Sequence, residues 1–250
     1  MKRREGGNLK KICTGILILI SFILSQNSLA SSNTDSKIEK YLLGKVICID
    51  PGHGNFKNNY QEKIAPTSDT KKSAFVSGAH GLKYSEAEIN LMVSKKLEEK
   101  LISYGATVIT TRSDENAHLS NVQRAQLAND NNADMAIRLH ADGSDNKSVR
   151  GMSMLIPGDK YINDKKLIAS SKRLGELVLK HTVSETGARN RGIVVRDDMT
   201  GFNWSEVPVI LFEMGFMSNA EDEKLLAADD YQNKIVGGII AGILEYYEIK

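Results

Sequence analysis

Val46-Ile47-Cys48-Ile49-Asp50-Pro51-Gly52-His53-Gly54 begins as an apolar run and ends in a tight polar turn carrying a histidine. Two later runs behave alike: Met135-Ala136-Ile137-Arg138-Leu139 leads into His140, and Val209-Ile210-Leu211-Phe212 leads into Glu213. Runs of about four to eight β-branched or apolar residues bounded by Gly, Pro or Asp mark buried strands, as in a parallel sheet. In open α/β sheets the site lies beyond the carboxyl ends of such strands. His53, His140 and Glu213, drawn from distant parts of the chain, are therefore candidates for a single cleft.

The segments between these runs complete the class. Ile89, Val93, Leu97 and Leu101 recur every fourth residue and predict a helix over 85–101, opened by the capping box Ser85-x-x-Glu88. That box uses Glu88 and leaves Glu86 free to face whatever lies at the helix end. Further strands are expected at 106–111, 151–156 and 192–195, with helices from Ser120 to about Asn129, from Lys165 to about Glu185 and from Tyr231 to Tyr247. Strands alternating with helices predict a single α/β domain with a mostly parallel or mixed central sheet and helices on both faces. Residues 55–84 show little periodicity, and a loop of that length inside a compact domain is usually functional or disordered.

The first thirty residues are set apart. Lys2, Arg3, Arg4, Lys10 and Lys11 precede an apolar stretch, Ile12 to Leu24, and Ser28-Leu29-Ala30 offers small residues for cleavage. The stretch is short of the roughly 20 residues needed to span a bilayer. The expected organisation is a signal peptide at 1–30, a lead-in at 31–44 and a single domain at 45–250. The protein would be secreted across the cytoplasmic membrane, or membrane-anchored if the segment is kept. Residues 1–30 hold five Lys/Arg and one Glu, so the chain's 33 basic and 31 acidic side chains become 28 and 30 after cleavage. No nucleic-acid footprint is expected from that balance. Cys48 would then be the sole cysteine, a small core residue with no disulfide partner.

The chemistry is read residue by residue. Gly52-His53-Gly54 is not a dinucleotide fingerprint, because Lys57 stands at the third glycine's place and no helical pattern follows. Glu213 directly follows four apolar residues, and a buried carboxylate costs several kcal/mol unless paired or held by a metal. His53, His140, Glu86 and Glu213 match a common stoichiometry: three N/O ligands on a catalytic zinc and a separate carboxylate for the water's proton. Spacing alone does not say which glutamate does which. His80, His118 and His181 are read as solvated, and Asn219 as a turn-shaping residue.

Residues 46–54, 85–91, Arg124 with Ala128-Asn129, 133–140, Gly151 and 207–219 together resemble the zinc-dependent N-acetylmuramoyl-L-alanine amidase family 3 domain, in the family's order from about Lys45 to Tyr247. The resemblance implies a single sheet flanked by helices and cleavage of the amide joining N-acetylmuramic acid to L-alanine in peptidoglycan. It implies one zinc per chain held by His53, Glu86 and His140, with Glu213 as the catalytic acid/base. The partners implied are the glycan strand and stem peptide; no separate wall-binding module is read in the sequence, which leaves open whether a partner protein positions or activates the enzyme. The path from His53 to Glu86 is longer and more polar than is usual in the family, and Glu88 is the rival ligand. Arg138 stands where a small residue is commoner and is read as an orienting salt bridge. The long loop and the Gly201-Phe202-Asn203-Trp204 segment are expected to wall the cleft. A zinc peptidase or deacetylase, or a silent wall-binding protein, are the competing readings.

Overall fold

Period-two alternation in the buried strands decides what each face of the sheet carries. The computed structural model describes residues 41–249. The expected signal peptide and most of the lead-in lie outside the described residues. The central sheet has six strands in the order β4-β1-β5-β8-β6-β7. These are β1 (Val46–Pro51), β4 (Thr107–Thr110), β5 (Met135–Asp142), β6 (Met152–Pro157), β7 (Asn190–Arg196) and β8 (Val209–Phe216). All neighbours pair in parallel except β6 and β8, which are antiparallel. The sheet is thus mixed, as the sequence allowed.

Ile47, Ile49, Ile137, Leu139, Ile210 and Phe212 point to one face, where they pack with α1 (Glu86–Ser103), α3 (Lys165–Thr186) and α6 (Asp229–Tyr246). This is the main core. Helix α1 supplies Ile89, Val93, Leu97 and Leu101, all fully buried, so truncating Leu97 to alanine should cost about 2–5 kcal/mol. The opposite face carries Cys48, Ala136, Leu155, Val209 and Leu211, covered by Ala128 of α2 (Asn121–Asp130) and Phe202 of α4 (Thr200–Asn203). This cover is thinner and stops short of the strands' carboxyl ends, where the same face shows Asp50, Arg138, His140 and Glu213.

Local signals explain the helix ends. Ser85 with Glu88 and Ser120 with Gln123 form complete capping boxes at α1 and α2. Gly187, at φ 69°, ends α3 in the left-handed conformation that a side chain disfavours.

Two expectations need correction, and two short helices add to them. The loop at 55–84 contains a hairpin, β2 (Gln61–Lys63) with β3 (Lys71–Ser73), whose short polar strands carry no apolar alternation to betray them. Strands β5 and β8 do not stop at His140 and Glu213 but continue to Asp142 and Phe216. The short helices α4 and α5 (Ala220–Leu226) span too few turns for a periodic signal. Asn219 is the N-cap of α5, its side chain accepting from the amides of Glu221 and Asp222, which accounts for it as a turn-shaping residue.

Candidate metal centre and active-site cleft

His53 follows β1 by two residues in a turn that is conformationally expensive. Its φ of 60° is left-handed, a region uncommon for any residue but glycine and often retained at functional sites. Buried arginines hold the turn. Arg124 Nη2 donates to the His53 carbonyl at 2.8 Å and its Nη1 to that of Pro51 at 2.9 Å. Arg112 donates to the carbonyls of Pro51 and Gly52 at 2.9 and 2.8 Å. Asp50 balances part of this charge. Its carboxylate takes Arg124 Nη1 at 2.5 Å, Arg138 Nε at 2.7 Å and the Thr111 hydroxyl at 2.6 Å. Burial pushes the Asp50 pKa up, but the two guanidiniums and Thr111 overturn that and hold it well below the usual carboxylate range. Arg138 is therefore in an orienting ion pair, and its Nη2 also donates to Asn121 at 2.9 Å.

His53, Glu86 and His140 converge. Glu86 Oε1 lies 3.0 Å from His53 Nε2 and 2.9 Å from His140 Nδ1, and one potential ligand atom from each residue lies within 4.8 Å of the other two. The imidazoles meet edge to face with centroids 4.7 Å apart. Glu86 is drawn into place by the amides of Ala79, at 2.7 Å, and Ala141, at 3.1 Å. Desolvation raises its pKa, yet the adjoining His140 and His53 rings carry it below the ordinary range. Glu88 stands apart, its carboxylate accepting from the Ser85 amide at 2.7 Å.

The donor set fits a divalent zinc. Tetrahedral bonds of about 2.0–2.1 Å space ligand atoms about 3.3 Å apart, close to the spacing of Glu86 Oε1 from each histidine nitrogen. His53 Nδ1 sits 2.8 Å from the Val76 carbonyl, which fixes that nitrogen as the donor and leaves Nε2 free to ligate. His140 is buried and its pKa is lowered to about 4, first by desolvation, so the ring is neutral at pH 7 as a ligand must be. Its Nε2 and Glu213 Oε2 are both buried without a partner. The packing is tight: a Cβ on Gly52 would clash with the His140 ring, and one on Gly78 would lie 2.7 Å from His53 Cδ2 and 2.9 Å from Glu86 Oε2.

Glu213 pairs directly with His140 in the β5–β8 register. Burial raises its pKa well above the ordinary carboxylate value, and the charges of Glu86 and Asp142 raise it further. These groups line one cleft of about 570 Å³, with Lys72 to Val76 of the hairpin arm, Arg138, Leu155, Arg196, Asp198, Thr200 and Leu211 on its walls. The arrangement can bind a cation and move a proton beside it.

A match to the N-acetylmuramoyl-L-alanine amidase profile of family 3 spans residues 47–245. The chain belongs to that family. Its reaction is amide hydrolysis in peptidoglycan, which makes this protein a cell-wall amidase. It is 28% identical to the N-acetylmuramoyl-L-alanine amidase LytC of Bacillus subtilis (strain 168) over 90% of this chain, which spans only 40% of LytC. The catalytic domain of CwlV, an amidase from Bacillus (Paenibacillus) polymyxa var. colistinus, is similar with a TM-score of 0.66 and 28% identity, covering 82% of this chain and 99% of that domain. CwlD of Clostridioides difficile, solved in complex with the GerS lipoprotein, gives a TM-score of 0.63 at 26% identity over 82% of this chain and all of that one.

Other expected residues fall outside the amidase cleft. Trp204 does not line it. The indole Nε1 instead donates to the Lys63 carbonyl at 2.9 Å, so this ring fastens the hairpin. His80 lines a separate depression, His118 lies 3.7 Å from Asp114, and His181 pairs with Glu245. The sequence reading missed the carbonyl of Val76 and the amide of Ala79 as supports for His53 and Glu86, since backbone groups leave no mark in side-chain identity. It also missed Arg196, whose only signal was a charge at the end of a strand.

Proposed function

We propose that the protein is a one-zinc N-acetylmuramoyl-L-alanine amidase acting outside the cytoplasm, with residues 45–250 as its catalytic domain. His53, Glu86 and His140 are the ligands and Glu213 is the general acid/base. The observation that carries the assignment is the shared carboxylate: Glu86 Oε1 touches both imidazoles while Glu213, one strand away, keeps an unpartnered oxygen.

When bound, zinc supplies Lewis-acid polarisation of the scissile carbonyl and eases ionisation of water. Glu213 takes the proton from the attacking water as the oxygen adds to the carbonyl carbon of the N-acetylmuramic acid lactyl group. It then returns that proton to the departing L-alanine nitrogen as the C–N bond breaks, leaving a carboxylate on the sugar and a free amino terminus on the peptide. A raised pKa suits a group that must both accept and donate near neutral pH. The Asp50–Arg124–Arg138 cluster and the Val76–Ala79 arm hold the ligands in place for this.

Among the described residues no helix is long and apolar enough to cross a membrane, and export rests on cleavage after Ala30. The glycan strand and stem peptide are the substrate. A protein partner, as CwlD has in GerS, would supply targeting or activation. The test is mass spectrometry of muropeptides digested by the purified protein, together with its metal content. Peptides with a free L-alanine amino terminus and about one zinc per chain are expected. Deacetylated sugars, or cuts between amino acids, would replace this reading with the deacetylase or peptidase.

A further inference from the structure

Two cations share one carboxylate on the cleft wall, away from the histidines. Arg196, the last residue of β7, donates through Nε and Nη2 to the two oxygens of Asp198 at 2.7 and 2.9 Å. Lys72, from the hairpin strand β3, reaches the same residue, its Nζ lying 3.2 Å from Oδ2 and 2.6 Å from the carbonyl. All three side chains line the cleft that contains His53, Glu86, His140 and Glu213. Arg196 is near enough to Glu213 and Asp142 for their charges to act on one another.

Fold stability does not account for this cluster. The side chains are 38%, 45% and 49% exposed for Arg196, Lys72 and Asp198, and exposed ion pairs contribute about 0–1 kcal/mol. Within the triad two positive charges stand against one negative, and Asp142 and Glu213 line the same cleft. Asp198 grips one side of the guanidinium fork and fixes its plane, while Nη1 meets no acceptor among the described residues. A planar, pre-oriented guanidinium with spare donors is suited to a carboxylate. The amidase substrate offers one. In a stem peptide the residue after L-alanine is a glutamate joined onward through its side chain, which leaves an α-carboxylate free one residue from the scissile bond.

We propose that Arg196 and Lys72, braced by Asp198, form a subsite that reads this α-carboxylate and selects acidic over amidated stems. The proposal rests on the cleft being the amidase active site. It assigns to the hairpin arm, through Lys72, a part in substrate choice.

The test uses two synthetic substrates, N-acetylmuramoyl-L-Ala-γ-D-Glu methylamide with a free α-carboxylate and the same molecule with an α-carboxamide. Wild-type protein should prefer the acid in kcat/KM by on the order of tenfold, as expected for loss of a charge-assisted hydrogen bond, with the difference mostly in KM. In R196Q the ratio should fall close to one, and R196K, which keeps the charge without the fork, should lie between. K72Q should lower the ratio less and serves if R196Q does not fold. A wild-type ratio near one, or a ratio unchanged in both R196Q and K72Q, overturns the proposal. Calorimetric binding of the free L-Ala-γ-D-Glu peptides separates the two levels of inference. If neither substrate is cut, the amidase reading fails. Tighter binding of the acid peptide by wild type, lost in R196Q, would still uphold the subsite, and equal binding of acid and amide would remove it.

Discussion

His140 and Glu213 are side-by-side partners across the parallel β5–β8 ladder. Their side chains emerge on the same face of the sheet, and burial disfavours the charged form of both: the imidazole is driven to about 4 and the carboxyl upward. Each carries a buried atom without a partner, His140 Nε2 and Glu213 Oε2, while His140 Nδ1 is the nitrogen that faces Glu86. The division of labour between them follows from their neighbours. His140 leans on Glu86 at 2.9 Å, whereas no hydrogen bond fixes Glu213 Oε2.

Glu86 and Glu88 separate cleanly by variant. E86Q should lose most of its zinc, as should H53A and H140A, because a neutral amide replaces the shared carboxylate. E88A should keep zinc and lose only the reciprocal half of a helix cap, about 0.5–2 kcal/mol of stability. Metal analysis and melting curves on the set check this. Retention of zinc by E86Q with its loss from E88A would exchange the two roles.

Gly78 is expected to be intolerant of any side chain. It sits at φ 85° with the His53 ring and Glu86 at its back, so G78A combines backbone strain with pressure on two ligands. Zinc affinity should fall about 10–100-fold, the range seen when the support of a metal ligand is disturbed. Competition with a fluorescent chelator measures it, and unchanged affinity would show that the arm does not position the ligands.

Asp50 carries a pH signature. Its folded-state pKa lies below the unfolded value of about 3.9, so its contribution to stability is complete above about pH 4 and declines as pH falls toward the folded value. D50N should cost about 3–5 kcal/mol at pH 7 by leaving buried guanidiniums without their counter-charge. By pH 3 the gap from wild type should narrow by about 1 kcal/mol. Urea unfolding at the two pH values reads both numbers. An unchanged gap would mean that Asp50 is not held in its charged form.

The fold class was legible because VICID, MAIRLH and VILFE are continuous apolar runs. The same continuity hid the phase of the strands. Only when Ile49, Leu139 and Phe212 are placed on the main core does the alternation turn Asp50, Arg138, His140 and Glu213 to the other side. The register that sets Glu86 at the helix start was legible through Ser85 and Glu88, since a capping box fixes it to the residue. Trp204 was left open by the sequence. An indole near β8 suits substrate stacking and core packing equally, and only the tertiary position of Lys63 shows where its N–H goes. W204F should therefore lower stability by about 1 kcal/mol, the worth of one hydrogen bond, and leave KM for muropeptides unchanged. A large rise in KM would restore Trp204 to the substrate cleft.

Glu213→Gln separates binding from chemistry. Glutamine keeps the shape of the side chain and can still accept a hydrogen bond, but it cannot take up the water's proton. General acid–base groups contribute about 10²–10⁴-fold in rate, so turnover should fall by that factor while zinc content and peptidoglycan binding persist. Stability should hold or rise slightly, because the substitution removes a carboxyl that burial, Glu86 and Asp142 all disfavour in its charged form. If Glu213 were a structural ion-pair partner, the same change would lower the melting temperature and spare the turnover of folded protein. If it were a metal ligand, zinc and activity would leave together. Zinc content, melting temperature and hydrolysis measured on one sample distinguish the three, and only unchanged zinc with depressed turnover agrees with a carboxylate that lies beside the metal ligands without joining them.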